Sequence, residues 1–219
     1  MTTPICPLSK NLPRGKKARA AMICRFLQRH YPEAVCALEF EGDPFRLLVM
    51  ARLSAQCTDR RVNEVSLPLF QRFPDAFAMA KADRGELEAL IRPCGLFRSK
   101  ADQILKLSEI LVRDYNGEVP REKKALLALP GVGEKIANLM MGDVFGDPHI
   151  VADTHCIRLA GRFSLTKSAL PSRVTKDLEA LIPKAEQSDF CHRLIQLGRE
   201  YCKAQNPRCE SCPLAKYLE

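Results

Sequence analysis

The chain has 219 residues, enough to bury one substantial core or two small ones. Hydrophobic residues make up 46% and charged residues 27%, a balance that excludes a disordered chain. Apolar runs such as Leu47 to Ala51 fall far short of a bilayer span. A net charge of +8 favours a polyanionic partner, because neutralised phosphates release counterions, but it is a weak signal by itself.

The N-terminus is polar and then basic (Lys10, Arg14, Lys16, Lys17), with no apolar stretch behind it, which predicts a cytoplasmic chain. The ten Cys are mostly scattered singly through helix-like segments. In such a compartment they read as free thiols and one metal site rather than a disulfide framework.

The pattern is helical nearly throughout. Asp43-Pro44 supplies an N-cap and a first-turn proline for a buried central helix over Phe45 to Gln56. Thr58 caps the next, with Val62, Val65, Leu67 and Phe70, and Pro68 should kink or end it. A short helix follows from Asp75, then Asp83 to Ile91 and Ser99 to Tyr115, which Asn116-Gly117 stops. Glu122 to Leu129 is short. After a pause at Asp147-Pro148, Ile150 to Ala152 is extended and helices resume over Thr154 to Phe163, Ser172 to Ile182 and Ser188 to Cys202. No segment alternates strictly and none repeats, so the fold class is all-α.

The most informative stretch is Leu129-Pro130-Gly131-Val132-Gly133-Glu134-Lys135-Ile136-Ala137. A helix stops at Pro130, the two glycines allow a tight turn with φ > 0, and a new helix starts at once. Such a turn leaves helix-terminal amides free for a phosphate, though a plain helical corner would use the same glycines. Lys135 stands in the first turn, where the helix dipole disfavours an ammonium. That suits an enzyme needing a neutral amine, and it costs a surface lysine only a few tenths of a kcal/mol.

Five motifs in order carry a resemblance. They are Leu53-Ser54-Ala55-Gln56-x-Thr58-Asp59, Gly95-Leu96-Phe97-x-Ser99-Lys100-Ala101, the hairpin segment running on to Asn138, Val151-Ala152-Asp153-Thr154-His155, and Cys202-x6-Cys209-x2-Cys212. Over roughly residues 17 to 212 the chain resembles bacterial endonuclease III, of the helix-hairpin-helix DNA glycosylases. The resemblance implies two helical domains flanking a DNA-binding groove: a six-helix barrel at 38–148, and a second domain of 1–37 with 149–219 that carries a 4Fe-4S cluster.

It also implies a base-excision-repair enzyme, a monomer acting on double-stranded DNA with damaged bases or abasic sites. Lys135 would attack C1′ of the nucleotide, expel an oxidised pyrimidine and form a Schiff base, and β-elimination would then cut the strand. Asp153 takes the carboxylate role, activating the nucleophile and stabilising positive charge at the sugar. As a residue it reads equally as an N-cap, and both can hold. Gln56 and Leu96 fill the gap left by the flipped base. Without the family, core packing is the preferred reading of Leu96, and Gln56 reads as a DNA-facing amide or a helix-end hydrogen bond. Gly131 and Gly133 approach the DNA backbone, as do Lys203 and Arg208. His155 is a phosphate contact or a partly buried polar residue.

Cys202, Cys209 and Cys212 are metal ligands whose spacing suits iron–sulfur or zinc. The family has a fourth Cys where this chain has Leu218. A substitute ligand, a three-iron cluster and no cluster remain open. Cys6 is the preferred substitute and Cys191 the second. Lys135 and the end at Glu219 argue against an adenine glycosylase, whereas glycosylases for other bases, an inactive helix-hairpin-helix DNA-binding protein and a redox regulator stay as rivals.

Overall fold

A computed structural model describes residues 10–218. Among the described residues the regular structure is entirely helical, as an all-α chain requires, and no helix is long and apolar enough to cross a membrane. The chain forms two compact units, Cys36–Gly146 and Met1–Val35 with Asp147–Glu219. Cys6 lies outside the described residues. The second unit begins with α1 (Lys16–His30), whose Ala20, Ile23, Phe26 and Leu27 are buried.

In the unit Cys36–Gly146, the Asp43 carboxylate accepts the Phe45 and Arg46 amides at 2.8 and 3.1 Å. It thereby starts α2 (Pro44–Leu53) with Pro44 in the first turn. Burial of Phe45, Leu47 to Ala51 and Leu53 goes around the whole helix, so α2 is central. It ends at Leu53, short of the expected Gln56. Ser54 Oγ folds back onto Ala51 O at 2.8 Å, and Gln56 takes a left-handed φ of 55°.

Thr58 caps α3 (Asp59–Arg72), which runs on through Pro68 and does not end there. Pro68 has no amide to donate to the Glu64 carbonyl one turn back, and both residues are exposed. Asp75 and Asp83 cap α4 (Ala76–Ala80) and α5 (Arg84–Ile91). A 3₁₀ turn, Arg92–Cys94, leads through Gly95 (φ 69°) and Leu96 (φ 48°) into α6 (Phe97–Tyr115). This helix packs on α2, α4 and α5 and buries Ile104, Leu107 and Leu111, each contributing roughly 1.5–3 kcal/mol. Asn116 (φ 51°) and Gly117 (φ 82°) end it, and the Gly117 amide donates to Leu111 O at 2.8 Å. The unit closes with α7 (Lys123–Ala128) and α8 (Glu134–Asp143), the latter packed on α2 and α7.

In the other unit the segment from Asp147 to Asp153 is not helical, and Ile150 and Val151 are buried. It leads to α9 (Thr154–Arg162) and α10 (Pro171–Glu179). The latter ends before the expected Ile182, where the Leu181 amide tightens onto Leu178 O at 2.9 Å in a three-residue turn. Then follow α11 (Gln187–Glu200), packed on α1 and α9, and α12 (Pro213–Tyr217), against α1.

Candidate functional site

The hairpin between α7 and α8 is closed by the Val132 amide on Leu129 O at 3.1 Å. Of its two glycines only Gly131 has positive φ, at 77°; Gly133 is extended, at φ −102° and ψ −178°, contrary to the expectation for both. Gly131 is required twice over. A Cβ there would stand 2.5 Å from Gln103 Oε1 and 2.7 Å from Arg52 Nε, two side chains hydrogen-bonded to each other beneath the turn. Burial lowers the Arg52 pKa. A Cβ on Gly133 would meet nothing within 4 Å, so packing inside the chain does not explain that glycine.

No side chain caps α8, unlike α2 to α5. Its first amides therefore lack intrahelical acceptors and carry the positive end of the dipole. Lys123 holds Glu134 at 2.8 Å, and Lys135 beside it is exposed.

Gln56 is exposed on the turn after α2, and Leu96 is 54% exposed rather than in the core. The two segments are tied from below by Lys100, a residue the sequence reading did not single out. Its side chain is fully buried, and Nζ donates to Leu53 O at 2.8 Å and to Cys94 O at 2.9 Å. Burial lowers its pKa. The end of α2 thus carries Arg52 against the hairpin and Leu53 against the Leu96 loop.

In the unit that contains α9, Asp153 is half-buried, and its Oδ1 accepts the Cys156 amide at 2.7 Å as the N-cap of that helix. His155 is half-buried, with Nδ1 3.0 Å from Arg158 Nη2 and packed so closely over α11 that a Cβ on Gly198 would come within 2.6 Å of it. Arg158 also donates to Gly198 O (3.2 Å) and Cys202 O (3.1 Å). Arg162, almost wholly buried, donates to Cys202 O and Cys202 Sγ, both at 3.1 Å, to Lys203 O at 2.7 Å and to Ala204 O at 3.1 Å. Neither arginine was foreseen. Lys203 and Arg208 are exposed.

Cys202, Cys209 and Cys212 line one recess walled by Phe163, Leu197 and Leu214. Three soft thiol donors under an apolar wall, one already taking an N–H···S bond from Arg162, fit an iron–sulfur group at three positions. They do not converge to metal-binding distance among the described residues. Leu218, which follows α12, offers a hydrocarbon at the fourth position. Cys191 does not line the recess; it accepts the Val151 amide at 3.3 Å and hydrogen-bonds with Cys156.

Residues 49–184 match the HhH-GPD superfamily of base excision DNA repair proteins, and residues 202–217 match the iron–sulfur binding domain of endonuclease III. The endonuclease III of Synechocystis sp. is 45% identical over 202 residues, 92% of each chain. Two solved structures, a non-covalent endonuclease III–DNA complex and a trapped endonuclease III–DNA covalent intermediate, each match with TM-score 0.87 at 41% identity, over 91% of this chain and 94% of theirs. With its hairpin, its capped α9 and its thiol-lined recess in matching order, the chain belongs to the endonuclease III family of base excision DNA repair proteins.

Proposed function

We propose that this chain is a bifunctional DNA glycosylase and abasic-site lyase that removes oxidised pyrimidines from duplex DNA, with the Lys135 amine as nucleophile. The observation that carries this reading is the exposed Lys135 in the first turn of α8, behind a hairpin wedged against Arg52 and Gln103. The likeness to an endonuclease III trapped covalently on DNA supports it. The neutral amine attacks C1′ of the flipped nucleotide, and the base departs with the electrons of its bond to C1′. The amine sheds a proton and the sugar opens to a Schiff base. Loss of the 2′ proton then expels the 3′ phosphate and cuts the strand.

Asp153 takes the carboxylate role while its Oδ1 caps α9. Gln56 and the exposed Leu96 fill the vacated space in the duplex. The open face of Gly133 and the uncapped amides of α8 admit a phosphate, with Gly131 setting the turn. His155, Lys203 and Arg208 are further phosphate contacts. The iron–sulfur group is a 4Fe-4S cluster held by Cys202, Cys209 and Cys212 with Cys6 as fourth ligand, and when bound it organises the loop that presents Lys203 and Arg208. The enzyme acts as a cytoplasmic monomer.

Borohydride trapping on duplexes with thymine glycol, with an abasic site and with no damage tests this reading. Trapping on both damaged duplexes is expected, lost in Lys135→Ala and slowed in Asp153→Asn. Trapping on neither would remove the Schiff-base assignment and favour an inactive DNA-binding protein.

A further inference from the structure

Two thiols that the reaction does not use meet under the Gln56 and Leu96 segments. Cys57 lies directly after Gln56 and is half-buried; Cys94 ends the 3₁₀ turn before Gly95 and is buried, at 2% exposed. Their side chains hydrogen-bond to each other, and burial, then the Cys57 contact, push the Cys94 thiol up to about 12. The buried Lys100 ammonium is fixed alongside by its bond to Cys94 O, and its two acceptors are backbone carbonyls. The Lys100 charge opposes the rise at Cys94 without overcoming it. Cys156 and Cys191 make a second hydrogen-bonded pair, but at 0% and 1% exposed neither can be reached from solvent. The first pair combines mutual contact with a residue, Cys57, that is partly exposed.

We infer that Cys57 and Cys94 form a dithiol modification site that small-molecule disulfides convert to an internal disulfide, locking the Gln56 turn to the Leu96 loop. In the first step Cys57 attacks a sulfur of glutathione disulfide, forming a Cys57–glutathione bond and releasing one glutathione. Cys94 then attacks the Cys57 sulfur and releases the second. Two protein thiols are oxidised, one external disulfide is reduced, and the two thiol protons leave on the released glutathiones. Gln56 and Leu96 both hold left-handed backbone, at φ 55° and 48°, so a covalent tie next to both removes their freedom to adjust separately to a duplex. The consequence for activity rests on the function proposed above; the disulfide chemistry does not.

The test incubates the reduced, iron-loaded full chain with glutathione disulfide, then maps disulfides by mass spectrometry and measures borohydride trapping on abasic DNA. The expected result is a Cys57–Cys94 disulfide with trapping slowed by about tenfold or more, the scale at which small misplacements act. Dithiothreitol should reverse it. Cys57→Ser should trap at the same rate before and after treatment, which separates the effect from cofactor loss, and Cys94→Ala should keep glutathione on Cys57 with no internal disulfide. Cys57 and Cys94 still alkylatable after treatment, or glutathione left on wild-type Cys57, would overturn the site. Unchanged trapping by the disulfide form would overturn the lock. If the reduced protein itself does not trap, the proposed function fails while the disulfide map still decides the site.

Discussion

Replacing Gly131 with Ala should cost the chain stability in an amount set by two separate terms. Holding Ala at φ 77° costs about 1–2 kcal/mol. The added Cβ, 2.5 Å from Gln103 Oε1 and 2.7 Å from Arg52 Nε, forces those flexible side chains apart, and the lost charge-assisted bond is worth about 1.5–3 kcal/mol. The sum, roughly 2.5–5 kcal/mol, corresponds to a fall of roughly 5–20 °C in the melting temperature of a chain this size.

Gly133→Ala is the matched control, since nothing lies within 4 Å and φ is not positive. Placing Ala at the N-cap costs at most about 1 kcal/mol. Its effect should fall instead on affinity for an abasic-site duplex, about ten- to a hundredfold, because the methyl occupies the space the proposed phosphate needs. Thermal melts and a binding titration read both variants. Adding Gln103→Ala to Gly131→Ala should recover part of the loss, leaving the φ term. A Gly131→Ala protein melting within about 2 °C of wild type would refute the packing argument, and a Gly133→Ala protein binding as wild type would refute the phosphate site.

Asp147 accepts Lys184 Nζ at 2.8 Å and pairs with His149 Nε2 at 2.9 Å, which together hold its carboxyl below the usual 3.8. A depressed carboxyl pKa stabilises the fold at pH above the unfolded value, and that contribution disappears as pH falls through the lower folded value. Asp147→Asn should therefore melt below wild type at neutral pH, by no more than about 1 kcal/mol for so exposed a group. The gap should close below about pH 4; one that stayed constant down to acid pH would show that the ion pair is not its source. Cys6→Ala should lower iron content and visible absorbance while leaving the melting of the iron-free protein unchanged, and unaltered iron content would exclude Cys6 as a ligand.

The parts of this molecule legible in its sequence are those governed by chemistry within a few residues. Asp43, Thr58, Asp75, Asp83 and Asp153 cap helices because a short oxygen-bearing side chain reaches amides two or three positions on. Asn116-Gly117 ends α6 because both tolerate positive φ. The same local logic allowed positive φ at both hairpin glycines, whereas Gly133 is extended, and allowed α3 to end at Pro68, which it passes. It also placed Leu96 in the core; the pair of positive-φ residues that turns it outward follows a proline-containing 3₁₀ turn that periodicity does not register.

Lys100 and Arg162 were illegible for a different reason. A buried cation is defined by the carbonyls it meets; Lys100 needs Leu53, 47 positions away, besides the nearby Cys94, and Arg162 needs Cys202 to Ala204, about 40 positions away. The family's motifs were visible as residues, but the supports that fix them arise from tertiary packing.

Nine residues of α9 separate two ends with different duties. Asp153 caps the first, and Arg162 at the last grips the backbone of Cys202, Lys203 and Ala204. At 1.5 Å per residue this is a rod of about 13 Å that bends little over two and a half turns. Any rearrangement of the cysteine loop that drags Arg162 pulls on a lever whose far end is the candidate carboxylate. Loss of the iron–sulfur group can therefore be felt at Asp153 through displacement alone, without electron transfer and without a change in electric field. The thiol-lined loop serves in that sense as the anchor from which α9 is aimed.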